Sequence, residues 1–117
     1  MEALQVEVFD HRPSARLVRL RGPLTLRTLP ALQDEARRDQ TRDIIVDIAG
    51  VPYMDSAGLG SLLAVLVSCH HNGRKLIVAG ATSRVQTLFR ITHLDRVLAQ
   101  AADVSAAGEM LSSAAPV

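Results

Sequence analysis

Asp43-Ile-Ile-Val-Asp-Ile48, Ala49-Gly-Val-Pro-Tyr-Met54 and Asp55-Ser-Ala-Gly-Leu-Gly60 follow one another without a break, and their reading decides the fold. The first is almost continuously apolar, the pattern of a central strand covered on both faces. The second is a short loop. The third opens an apolar helix expected from about Ala57 to His70, with Ser56 where the helix begins. A Ser there is expected to cap free backbone N–H groups with its oxygen. The same hydroxyl is a candidate for phosphorylation, because added negative charge would meet the positive end of the helix dipole.

Working outward, Leu4-Gln-Val-Glu-Val-Phe9 alternates with period two and reads as a strand. Asp10-His-Arg-Pro-Ser14 is the expected turn, and Ala15 to Leu20 the return strand of an antiparallel hairpin. Arg16, Arg19 and Arg21 are expected on a wet face, opposite Leu17, Val18 and Leu20. Gly22 to Thr25 breaks the strand. Leu29 to Arg38 reads as a helix with Thr28 as cap, Pro30 in its first turn and Leu29, Leu32 and Ala36 inward.

Beyond the opening stretch, Gly73 is a stop signal and Lys75-Leu-Ile-Val-Ala79 a second central strand. Thr82 or Ser83 caps a helix carrying Val85, Leu88 and Phe89. Arg96 to Gln100 is a last short strand. Asp103 caps a final helix from Val104 to about Ser112, with Met110 and Leu111 packing back. The fold class is α/β: a mixed, mostly parallel sheet of four to five strands, opening with an antiparallel hairpin and carrying about four helices. The 117 residues fit one domain, placed at 1–113, with 114–117 as a frayed tail.

Composition excludes several functions. There is no Trp, one Tyr and two Phe, so a nucleic-acid face of stacked aromatics is not expected. The net charge of +1 and the scattered basic residues argue the same way. A single cysteine, Cys69, fits a reducing compartment and a buried inert thiol. Met1 to Phe9 has no signal-peptide pattern, and the run from Leu59 to Cys69 is too short to span a bilayer. A cytoplasmic protein without membrane insertion is expected.

Catalytic readings lack partners. Asp47 resembles the phosphoacceptor of a receiver domain, but the first strand ends without the acidic pair that would hold Mg²⁺. His70 and His71 are adjacent and point about 100° apart on a helix, so they cannot share a metal; His11 and His93 complete no zinc set. Ser56 lacks the Gly-x-Ser-x-Gly elbow, since Met54 occupies its first position. No enzyme, metal or cofactor is expected. The helix after Ser56 is uncharged for three turns, so part of it is expected either to pack tightly or to serve as a contact surface. Ala57, Ser61, Ala64 and Ser68 form a small-residue stripe, and Gly58 and Gly60 lower helix propensity where a surface must come close.

Val51-Pro-Tyr-Met-Asp55-Ser56-Ala-Gly-Leu-Gly60, in this element order, resembles the signature of the STAS domain, in particular the bacterial anti-sigma factor antagonists. Gly22, Lys75-Leu-Ile-Val-Ala79 and Val85-Gln-Thr-Leu-Phe-Arg-Ile-Thr-His-Leu94 extend the resemblance over nearly the whole chain. It implies partner switching. The unphosphorylated protein would bind an anti-sigma factor that is also a serine-protein kinase, and so release a sigma factor. Phosphorylation at Ser56 would end the complex, and a PP2C-type phosphatase would restore it. Asp55 and Gly58 would flank the switch. Partner contact is implied at Gly22, Pro23, Leu24 and Thr25, at Met54, Ala57, Leu59, Gly60 and Leu63, and at His93. Oligomeric state is left open, with a weak homodimer among the options. The chain departs from the family at Gly22-Pro23-Leu24-Thr25, where an acidic Gly-Glu-Leu-Asp is frequent, and at Ala57, where many members carry a second hydroxyl. The alternative is an unphosphorylated STAS subunit of a lipid-transport ABC complex or a signalling scaffold.

Overall fold

The computed structural model describes residues 3–113; the expected tail at 114–117 lies outside them. Five strands form one sheet in the order β1-β2-β3-β4-β5: β1 Gln5–Arg12, β2 Ala15–Arg21, β3 Asp43–Gly50, β4 Leu76–Ala79 and β5 Ala99–Ala101. Only the β1–β2 pair is antiparallel. The crossovers are made by α1 Leu29–Arg38, α2 Ser56–His71 and α3 Ser83–Ile91, and α4 Val104–Ser113 follows the last strand. Because the sheet grows in one direction, one handedness of crossover places all three connecting helices on one face.

That face carries the main core. Val18, Leu20, Ile44, Val46, Ile48, Leu76 and Val78 meet Leu32 of α1, Leu62, Val65 and Cys69 of α2, and Val85 and Phe89 of α3. The alternate residues Leu17, Ile45, Ile77 and Ala79 pack on the opposite face under Ala107, Val104 and Leu111 of α4. Coverage on both faces is why β3 and β4 lack polar alternation. Asp47, the one charge of β3 within its buried run, sits on the second face, paired with Arg19 at 3.0 Å.

The hairpin differs from its sequence reading. β1 runs on through His11 to Arg12 with an irregularity after Asp10, so only Pro13 and Ser14 make the turn. The reason is α4. Arg12 donates to the Gly108 carbonyl and to the Ser112 hydroxyl, both at 2.7 Å, which holds the strand end in place.

Arg16 is also not on a wet face. Strict alternation puts it with Val18 and Leu20, and it is 2% exposed. Its guanidinium donates to the carbonyls of Glu35 (3.1 Å) and Asp39 (3.0 Å) and to Glu35 Oε1 (3.4 Å), closing the C-terminal end of α1. Met110, expected to pack inward, is partly exposed, whereas Leu111 does pack back. Cys69 is a buried free thiol, and burial raises its pKa, in keeping with an inert role.

Candidate functional site

Past the end of β3, the chain turns into α2 beside the 22–28 loop. Asp55, not Ser56, is the N-cap. Its backbone is extended, and its Oδ1 accepts from the Gly58 N–H at 2.7 Å. Its Oδ2 accepts from the Leu26 N–H at 3.1 Å, so one carboxylate ties the helix start to the loop. These two bonds, Gly58 first, hold the Asp55 carboxyl below its usual pKa. Ser56 is therefore the first helical residue. Only the residue before the helix has the extended backbone that brings a side-chain oxygen over the free N–H groups. The expectation that Ser56 caps is corrected. Its hydroxyl is exposed and, among the described residues, bonds no protein group.

The loop Gly22-Pro23-Leu24-Thr25 does lie against this turn. Leu24 forms an isolated parallel bridge with Met54. Its N–H donates to the Tyr53 carbonyl at 3.2 Å, and its carbonyl accepts the Asp55 N–H at 3.3 Å. A Cβ on Gly58 would stand 1.9 Å from the Leu24 carbonyl oxygen, so no side chain fits there. Among the described residues, a Cβ on Gly60 would meet nothing within 4 Å. Gly22 has φ +111° and faces the Ala3 carbonyl, a second position that only glycine fills without strain.

Thr28 has a different task from the one its position implies. It caps no helix N–H. Its Oγ1 donates to the Pro23 carbonyl at 2.8 Å and accepts the Thr25 N–H at 2.9 Å, which shapes the loop instead. Residues 22–25 and 54–60 are thus one assembly. Leu24, Met54 and Leu59 place their side chains in the core and form its floor. Ser56 and Gly60 are exposed, and Ala57 and Leu63 half-buried. His93 stands elsewhere, exposed at the end of α3 with φ 61°; no described hydrogen bond joins it to the turn.

Two features of the surface escaped the sequence reading. Leu26 is 69% exposed beside a groove that also involves Pro23, Thr25, Arg27, Tyr53 and Asp55. Its signal is a lone Leu between Thr25 and Arg27 in a polar loop. On the other side, the Arg84 guanidinium stacks 5.1 Å over the Tyr53 ring, a pairing across elements that no local pattern announces. Among the described residues no group of three or more His, Cys, Asp or Glu side chains is placed to hold a metal, and no helix is long and apolar enough to cross a membrane.

Comparison with known proteins agrees with this geometry. The STAS domain family model matches residues 8–107. An anti-sigma-B factor antagonist of Staphylococcus aureus is 39% identical over 80 residues, covering 66% of this chain and 74% of that protein. An anti-sigma factor antagonist from Mycobacterium paratuberculosis superposes with a TM-score of 0.79 at 19% identity, covering 94% and 92% of the two chains. The phosphorylated form of the Bacillus cell fate determinant SpoIIAA does so with a TM-score of 0.71 at 15% identity, covering 91% and 99%. With the antiparallel opening, the parallel remainder and the Asp55-Ser56 turn all in place, the chain belongs to the STAS domain family, among the anti-sigma factor antagonists.

Proposed function

We propose that this protein antagonises an anti-sigma factor that is also a serine-protein kinase, and that phosphorylation of Ser56 switches it off. The observation that carries the reading is the exposed, unengaged Ser56 hydroxyl at the first position of α2, next to an ionised Asp55. In the unphosphorylated form the partner rests on the exposed edge of the 22–28 loop, on Leu26, and on the Ser56, Gly60 and Leu63 side of α2. A phosphate adds about −1.5 to −2 charges. The helix N-terminus tolerates that charge. The partner does not, because closing an apolar contact would strip water from a phosphate and from Asp55 together. The switch is then local charge, with the frame unchanged. A PP2C-type phosphatase reverses it. The reading places the protein in the cytoplasm, as one domain over residues 1–113.

Incubation with the cognate kinase and ATP, followed by phosphosite mapping, tests this. Phosphate is expected on Ser56 alone, with loss of the complex; Ser56→Ala keeps binding and Ser56→Asp weakens it. Phosphate on another residue, or equal binding by the two variants, would sink the switch. The carboxylate-free loop at residues 22–25 favours a second reading, an unphosphorylated STAS subunit of a lipid-transport complex or a scaffold. It predicts no kinase-dependent phosphate and transporter genes beside its own.

A further inference from the structure

Two grooves flank the Ser56 turn and meet at Tyr53. Leu26, Arg27 and Asp55 line the first; Arg84, Leu88 and Ile91 line the second. Each holds a large aliphatic side chain in water, Leu26 at 69% and Ile91 at 71% exposed, the two most exposed large hydrophobics among the described residues. Each also holds an exposed arginine. Among the described residues, the Arg27 side chain makes no hydrogen bond or ion pair. The Arg84 guanidinium lies 5.1 Å over the Tyr53 ring and enters no described ion pair. Arg21, Arg37 and Arg38, also exposed, each face a carboxylate, at 3.4, 3.6 and 3.7 Å. Asp55 is the one carboxylate among the described residues that line either groove, and both its oxygens already accept backbone N–H groups.

Exposed aliphatic side chains beside charges without a counter-ion suit a protein contact, and the sign of those charges selects the partner. We propose that the partner surface facing Ser56 is acidic, with apolar recesses for Leu26 and Ile91 and carboxylates for Arg27 and Arg84, an inference that rests on the Ser56 reading above. A guanidinium is weakly hydrated and takes a carboxylate in two parallel hydrogen bonds, so it enters such a contact at lower cost than an ammonium. The same sign accounts for the direction of the switch. Arg27 and Arg84 together outweigh Asp55, whereas a phosphate on Ser56 adds about −1.5 to −2 charges and turns the face negative. An acidic partner is attracted by the first state and repelled by the second. A basic partner would hold the phosphorylated form more tightly, the reverse of a switch that phosphorylation turns off.

Binding of the full chain to the cognate kinase without ATP, measured as rate and affinity over a range of salt, tests this. Each variant is first checked for the wild-type urea midpoint. Wild-type association is expected to slow as salt rises. Arg27→Glu and Arg84→Glu are each expected to weaken the complex about tenfold or more and to flatten that salt dependence, while Arg27→Lys stays within about twofold of wild type. Leu26→Ser is expected to weaken it about tenfold with the salt dependence intact. Arg38→Glu, the same change of charge at the far end of α1, is expected to leave binding unchanged. A complex that Ser56 phosphorylation releases, yet that Arg27→Glu and Arg84→Glu strengthen or leave unchanged, overturns the acidic partner and leaves the Ser56 reading standing. An equal loss with Arg38→Glu overturns it too, by reducing the effect to net charge. Absence of any complex overturns both. Retention on phosphatidylglycerol vesicles, with kinase binding indifferent to the arginine variants, would assign the face to a membrane instead.

Discussion

Gly58 and Gly60 stand two residues apart in the first turns of α2, and the two sides of the helix they occupy have opposite characters. On the Gly58 side the chain's own 22–28 loop presses down, with the Leu24 carbonyl where a Cβ would be. On the Gly60 side there is open space. Both glycines carry the same propensity cost in a helix. At Gly58 the cost is compulsory, because the loop, Asp55 and Met54 are assembled on that contact. At Gly60 nothing among the described residues requires it. The helix start is therefore locked on one side and left available on the other, and Ser56 sits at the boundary between them.

The contrast makes three predictions, and the largest tests the locked side. Gly58→Ala is expected to destabilise the fold by about 3 kcal/mol or more, since backbone rather than a flexible side chain must move. Urea unfolding measures this. A wild-type midpoint would mean that the loop is not pinned, and the contrast would collapse.

Next comes the carboxylate that ties the loop to the helix. Asp55→Ala is expected to lower the unfolding midpoint at neutral pH, by less than Gly58→Ala, through loss of the Gly58 and Leu26 bonds. The folded-state pKa of Asp55 is lowered, so its contribution is full above the ordinary carboxylate pKa and is lost as pH falls through the folded value. The gap between wild type and variant should therefore be constant near neutrality and shrink in strong acid. Paired urea titrations at neutral and acid pH check the sign; a gap that grows on acidification would contradict it.

The smallest effect belongs to the open side. Gly60→Ala is expected to stabilise the protein by roughly 0.5–1 kcal/mol, because a helical glycine gives up more chain entropy than alanine. Thermal unfolding reads this directly. If a partner lies close over the first turn, the same substitution raises stability while weakening the complex. A stability gain with unchanged partner binding would place the contact elsewhere on the surface.

Much of this was legible in the sequence, and the exceptions share a cause. The central strands read correctly because coverage on both faces leaves an unbroken apolar run in Ile44 to Ile48 and Leu76 to Ala79. The α3 cap was legible because Thr82 bonds the Val85 N–H within its own turn. Asp103 likewise bonds the Ala106 N–H at the start of α4. Arg16 was misread because a charge reads as exposed until the end of α1 arrives to receive it. Thr28 was misread because its partners, Pro23 and Thr25, belong to a loop whose path no local pattern describes. Leu26 and the Arg84–Tyr53 pair went unnoticed for the same reason: their meaning lies in what the fold brings beside them.

At Asp55-Ser56-Ala57-Gly58-Leu59-Gly60 the sequence by itself determined that a helix begins, that a hydroxyl stands at its start and that no charge follows for three turns. Those are properties of short-range chemistry: capping oxygens, glycine propensity and hydropathy. Only the tertiary structure decided that Asp55 does the capping, that Gly58 cannot be replaced while Gly60 can, and that Ser56 is left unengaged. The physical reason is that a segment some thirty residues earlier, held by the bridge between Leu24 and Met54, lays its backbone across one side of the turn and not the other.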